Sequence, residues 1–79
     1  MGNLPYVDSK EMGMNIRRLM RLKHKTITQV QIELGFSSAT NIYKWCRGES
    51  IPSLDHLVQL ASILDCSLND IVVTNEDSI

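Results

Sequence analysis

The sequence predicts an all-α fold, a single domain of five short helices. Apolar residues recur at three- and four-residue spacing along most of the chain, the period of amphipathic helices. No stretch alternates apolar and polar residues long enough to make a strand. Capping signals, with Ser, Thr or Asp three residues ahead of Asp, Glu or Gln, punctuate the pattern. A chain of 79 residues has room for one core and none for a second domain. That core is expected over about residues 8–73, with frayed ends at 1–6 and 74–79.

The first helix is expected from about Asp8 to Lys23, with Met12, Ile16, Leu19 and Met20 on one face. Arg17, Arg18 and Arg21 flank that face or point away from it. Asp8 caps the helix with Glu11 as box partner, and Val7 and Met12 form a hydrophobic staple. The second helix is capped by Thr26, with Gln29 completing the box. Val30, Ile32, Leu34 and Ile27 supply its apolar groups. Gly35 ends it, because glycine takes the left-handed conformation at little cost. The third begins near Ser38, carries Ile42, Trp45 and Cys46 on one side, and stops at Gly48. Ile51-Pro52-Ser53 is a break. Ser53 caps a fourth helix that turns Leu54, Leu57, Val58, Ala61 and Leu64 inward. Ser67 and Asp70 form a last capping box ahead of Ile71 and Val72, with Cys66 and Ile71 as its staple.

The formal net charge of −1 hides a strong division. All eight Lys and Arg lie between Lys10 and Arg47, where only Glu11 and Glu33 oppose them, a net of +6. From Glu49 onward six acidic residues and no cation leave −6. Such a division is the pattern of a surface facing a polyanion, or of two solvated faces that attract each other.

Several function classes drop out. No apolar run approaches the ~18 residues of a spanning helix, so no membrane partner is expected. The start, MGNLPYVDSK, lacks a basic region followed by an apolar one and does not read as a secretory signal. Tyr6 breaks the myristoylation pattern. A cytoplasmic chain is expected, with Cys46 and Cys66 reduced and serving as small buried residues. Cys46, Cys66, His24 and His56 lack the paired spacing of zinc ligands, so neither metal nor cofactor is expected. Without a Gly-rich phosphate loop, a nucleophile elbow or a triad, the chain does not read as an enzyme.

Residues 26–48 carry the chemistry. Stepping ~100° per residue, Thr40, Lys44 and Arg47 lie opposite Ile42, Trp45 and Cys46, with Asn41 and Tyr43 on the flanks. Hydroxyls, an amide and long cations are the groups that reach base edges and phosphates. A helix start also offers free N–H groups to a phosphate oxygen. Each residue has a plainer role open to it. Lys44 and Arg47 suit a solvated face as well as DNA. Asn41 suits a capping bond as well as a bidentate contact to adenine. Tyr43 can pack its ring or place its hydroxyl on a phosphate. Trp45 is a core anchor.

The run from Thr26 through G-F-S, I-Y-K-W-C-R-G-E, I-P-S-L-D-H-L and L-D-C-S-L-N-D-I resembles the XRE-type (phage-repressor-like, Cro-like) helix-turn-helix DNA-binding family over about residues 12–73. W-C-R-G matches that family's W-x-x-G, P-S-L-D-H-L opens the following helix, and S-L-N-D-I matches its ending. Each is weak alone; in this order they are specific. The resemblance implies a five-helix lambda-repressor-like domain whose second and third helices read double-stranded DNA. It implies a sequence-specific transcriptional regulator, a repressor for example, with the third helix in the major groove. Ser38, Thr40, Asn41, Tyr43 and Lys44 are then the base-reading candidates, and Thr28, Gln29, Ser37 and Arg47 the phosphate candidates. A homodimer on half-sites roughly 34–36 Å apart follows. Leu68, Ile71, Val72 and Val73 are its interface candidates, since so short a fifth helix is not expected to bury them all. The chain departs from the family at Ile27, where a phosphate-touching Gln often stands, and at Gln31, where the turn usually has a small residue. The stretch from Gly35 to Trp45 is one residue longer than in the commonest members, which leaves the register of Ser37 to Asn41 open. Two other readings remain: an antitoxin-type repressor that also binds a toxin, and a protein-binding module without DNA affinity.

Overall fold

Four of the helices begin at a residue whose side chain caps them. A computed structural model, which describes residues 4–76, contains α1 (Ser9–Leu22), α2 (Ile27–Leu34), α3 (Thr40–Arg47), α4 (Leu54–Ile63) and α5 (Leu68–Ile71). Among the described residues there is no strand beyond one isolated bridge. None of these helices is long and apolar enough to cross a membrane. Asp8 accepts from the Glu11 amide at 3.0 Å, and Ser53 from the His56 amide at 3.2 Å. Thr26 and Gln29 close a reciprocal capping box, and so do Ser67 and Asp70.

Four helices stop in the same way. The amides of Lys25, Phe36, Glu49 and Cys66 each donate to a carbonyl five residues back, at 2.8–3.0 Å. The residue before each amide is left-handed: His24 (φ 58), Gly35 (φ 76), Gly48 (φ 76) and Asp65 (φ 51). The two glycines are legible as stops; His24 and Asp65 take the same conformation at the cost of their Cβ atoms.

One core joins the five helices. Met12, Ile16 and Met20 of α1 meet Val30 of α2, Ile42, Trp45 and Cys46 of α3, Leu57, Leu60 and Ala61 of α4, Leu64 just beyond it, and Ile71 of α5. α1 packs chiefly on α3, and α2 on α4. Gly13 makes the first contact possible. A Cβ there would stand 2.4 Å from the Cys46 carbonyl oxygen and 2.6 Å from that of Trp45. α1 therefore lies against the backbone of the last turn of α3.

Two inward expectations on α4 change. Leu54 and Val58 are 70% and 53% exposed, and Leu60, absent from the expected stripe, is fully buried. The stripe of α4 is Leu57, Leu60, Ala61 and Leu64, which leaves Leu54 and Val58 on its shoulder. Ile32 is 68% exposed because it lies across α2 from Ile27, Val30 and Leu34.

The ends also differ from expectation. Val7 and Thr74 form an antiparallel bridge. The Asp8 amide donates to the Val73 carbonyl at 2.8 Å, and the Asn75 amide to the Tyr6 carbonyl at 2.9 Å. Asn75 Oδ1 accepts the Tyr6 amide at 2.9 Å. Tyr6, Thr74 and Asn75 are thus clasped together. Asp8's own amide is taken by Val73, not by Glu11, and Val7, 37% exposed, pairs through its backbone. The outermost parts of the expected frayed ends, 1–3 and 77–79, lie outside the described residues.

Candidate nucleic-acid interface

α3 is locked on one side and open on the other. Ile42, Trp45 and Cys46 are buried, while Thr40, Asn41, Tyr43, Lys44 and Arg47 are exposed. The inner face rests on Gly13 and on an aromatic group. Phe36 meets Trp45 edge-on at 5.8 Å and His56 at 5.0 Å, and Trp45 lies 5.6 Å from His56. His56, in the first turn of α4, therefore supports the turn that precedes α3. The sequence held no periodic signal for that role.

The turn is longer than expected because α3 starts at Thr40, two residues after Ser38, with Ala39 as its N-cap. Ser38 stands ahead of the helix. Its Oγ accepts from the Thr40 amide at 3.4 Å and donates to Thr40 Oγ1 at 3.2 Å. Ser37 is exposed beside it. Gln31 accounts for its own departure from a small residue: half-buried at the far side of the turn, its Nε2 donates to the Phe36 carbonyl at 3.3 Å. A small side chain would leave that carbonyl without this bond.

On α2, Thr28 and Gln29 are exposed. Gln29 Oε1 accepts the Thr26 amide at 2.7 Å, so the amide oxygen is committed to the cap and the NH₂ end is what faces outward chemistry. Lys44 makes no ion pair among the described residues. Arg47 does: its Nε and Nη2 hold both oxygens of Glu49. The guanidinium holds the Glu49 carboxyl below its ordinary range. Arg47 and Lys44 thus present different cations, one paired and one open.

The four residues expected between copies separate. Ile71 is wholly enclosed in the core of its own chain. Val72 and Val73 are half-buried against that core, and Leu68 is 37% exposed. So short a helix does bury its last residue, because α1 and α4 both pack on α5. Asn15 adds a polar tie, its Nδ2 reaching the Asp70 carbonyl at 3.4 Å.

A short helix standing open on a locked inner face, preceded by a capped helix and a turn, defines a helix-turn-helix protein. The chain belongs to the Cro/C1-type helix-turn-helix DNA-binding domain family, whose model matches residues 15–77. Its fold is similar to that of the restriction-modification controller protein C.AhdI from Aeromonas hydrophila, with a TM-score of 0.73 and 22% identity over 81% of this chain and 96% of that one. It is also similar to the DNA-binding domain of BldD, with a TM-score of 0.71 and 15% identity over 84% of this chain and 94% of that one. No curated protein matches the sequence.

Proposed function

We propose that the chain is a cytoplasmic, sequence-specific DNA-binding transcriptional regulator that acts as a homodimer, with α3 entering the major groove. The open face of α3 carries this reading. Thr40, Asn41, Tyr43 and Lys44 are exposed on a helix whose other face is fixed by Gly13, Phe36 and His56. Such a helix keeps its side chains in place without spending binding energy on ordering the backbone. The major groove admits an α-helix, and its base edges offer Lys a guanine acceptor pair and Asn an adenine donor–acceptor pair. Ser38, ahead of the helix, reaches bases or the adjoining backbone. Ser37, Thr28 and Gln29 supply phosphate contacts. Arg47 joins them by exchanging the Glu49 carboxylate for a phosphate.

One domain of this size reads few base pairs, so two copies bind half-sites roughly 34–36 Å apart. Leu68, with Val72 and Val73 at its margin, is the surface proposed between copies. Bound at a promoter, the dimer occludes or recruits polymerase.

Fluorescence anisotropy with a labelled duplex tests the DNA reading. Affinity should fall steeply between about 50 and 200 mM salt, with a log–log slope near −0.9 per phosphate contacted. A flat dependence contradicts it and favours a protein-binding module. Leu68→Asp, followed by analytical ultracentrifugation, tests the dimer. An unchanged, folded dimer rejects that surface.

A further inference from the structure

Arg17 and Arg21, one turn apart on α1, line a cleft together with Lys25, Met20, Ile27 and Cys46. The cleft holds about 280 Å³ and lies between α1, the first residue of α2 and the last turn of α3. Like charges four residues apart on a helix repel. Acidic side chains would relieve this, yet among the described residues neither Arg17 nor Arg21 has an ion-pair partner. Lys25 has one, Glu33 at 2.8 Å. At the floor, burial pushes the Cys46 thiol above its ordinary range, against the pull of Arg17 and Arg47. The floor therefore adds no negative charge at neutral pH.

We propose that this cleft is a phosphate-ester site, in which Arg17 and Arg21 grip one phosphate group and Lys25 stands at its edge. Two unpaired guanidinium forks match the oxygens of a phosphate in bidentate fashion, which a lone ammonium cannot do. Met20 and Ile27 give an attached sugar or glycerol carbon an apolar wall. The volume falls just below the usual range for small-molecule pockets, and suits one phosphate with its first carbons better than a whole nucleotide. The ester has two sources. One is a backbone phosphate of DNA beside the helix-turn-helix, which rests on the function proposed above. The other is a free phosphate monoester, which does not.

The test compares R17Q/R21Q with R18Q/K23Q. Both remove two positive charges, but Arg18 and Lys23 lie outside the cleft. Lys23 Nζ instead donates to the Asp65 carbonyl at 3.3 Å. All these side chains are exposed or half-buried and none belongs to the core, and circular dichroism with a thermal melt checks that each variant folds. Two readouts are taken. The first is the salt dependence of duplex binding. The second is an amide NMR titration with glycerol 3-phosphate and with inorganic phosphate at constant ionic strength.

With a backbone phosphate in the cleft, the salt slope of R17Q/R21Q becomes shallower by about 0.9, and R18Q/K23Q keeps the wild-type slope. With a free monoester as ligand, glycerol 3-phosphate gives saturable shifts at the amides around Arg17, Arg21, Lys25 and Ile27, and R17Q/R21Q abolishes them. Either result supports the site. Equal slope changes in both double variants, or none in either, together with no saturable shift, overturn it. If the wild-type chain binds no duplex, the function proposed above fails, and the titration alone then decides the cleft.

Discussion

Between Lys10 and Arg47 the chain carries +6, and most of those cations stand on exposed side chains of α1 and α3; from Glu49 onward it carries −6. The acidic part contributes much of the packing instead, with Leu57, Leu60, Leu64 and Ile71 in the core and His56 under the turn. If the two parts had opposite charge in order to hold each other, ion pairs would join them. Among the described residues one does, Arg47 with Glu49, and it is a local contact between neighbours in sequence. The charge division thus does little for cohesion. Apolar burial and the close approach at Gly13 hold the parts together, which leaves the cations of the basic part other than Lys25 and Arg47 without an ion pair among the described residues and open to an outside anion.

The largest expected effect breaks the scaffold. Leu60→Ala in the acidic part removes a fully buried side chain and should cost about 2–5 kcal/mol in a urea melt. Its loss of DNA binding should track the unfolded fraction and nothing else. Next comes Gly13→Ala. Helix propensity alone favours the change by about 1 kcal/mol, but the new Cβ meets two carbonyl oxygens of α3. A net loss of roughly 1–3 kcal/mol is expected, read as a lower melting midpoint. A stabilised variant would show that α1 and α3 do not approach so closely.

Lys44→Ala sharpens the contrast from the other side. It should leave the melt unchanged, since Lys44 is exposed and has no ion pair among the described residues. On the preferred duplex it should cost about 1–3 kcal/mol if it reads a base, while an equal loss on every duplex marks a phosphate contact.

The smallest effect is in pH. Burial first, and then the carboxylate of Asp70, raises the Cys66 thiol, and burial raises Cys46 against its arginines. An unfolded thiol titrates near 8.5, so the unfolded chain releases these protons first. The stability that the raised values supply is full below that pH and is lost as pH rises through the folded values. A Cys46→Ala, Cys66→Ala double variant should show a flatter decline in melting midpoint between about pH 8 and 10 than the wild type.

The helix starts were legible because caps are local. Asp8, Thr26 with Gln29, Ser53, and Ser67 with Asp70 all cap the helices they were expected to cap. Gly35 and Gly48 were legible as stops for the same reason. The inward face of α3 was legible because its apolar residues form one narrow stripe. The phase of α4 was not, since Leu54, Leu57, Val58, Leu60, Ala61 and Leu64 make more than one apolar stripe possible, and only packing against α2 and α5 selects among them. The clasp of Tyr6 to Asn75 joins residues 69 apart through one backbone pair, which every residue type could form, and one bond to Asn75 Oδ1, and no local pattern announces a partner so far along the chain. His24 and Asp65 take a conformation that their side chains do not announce. On the outer surface, Thr40, Asn41 and Lys44 were legible as an exposed polar face. The site of Arg17, Arg21 and Lys25 was not, because it needs α1, α2 and α3 brought together.

On the function proposed here, the open face of α3 reads DNA sequence. Selection of bound duplexes from a random-sequence pool, at about physiological salt, tests it most directly, because the nonspecific phosphate attraction is then damped. The expected result is an enriched palindrome with half-sites about one helical turn apart, whose bases Thr40, Asn41 and Lys44 must contact. A folded protein that enriches no sequence would contradict the claim.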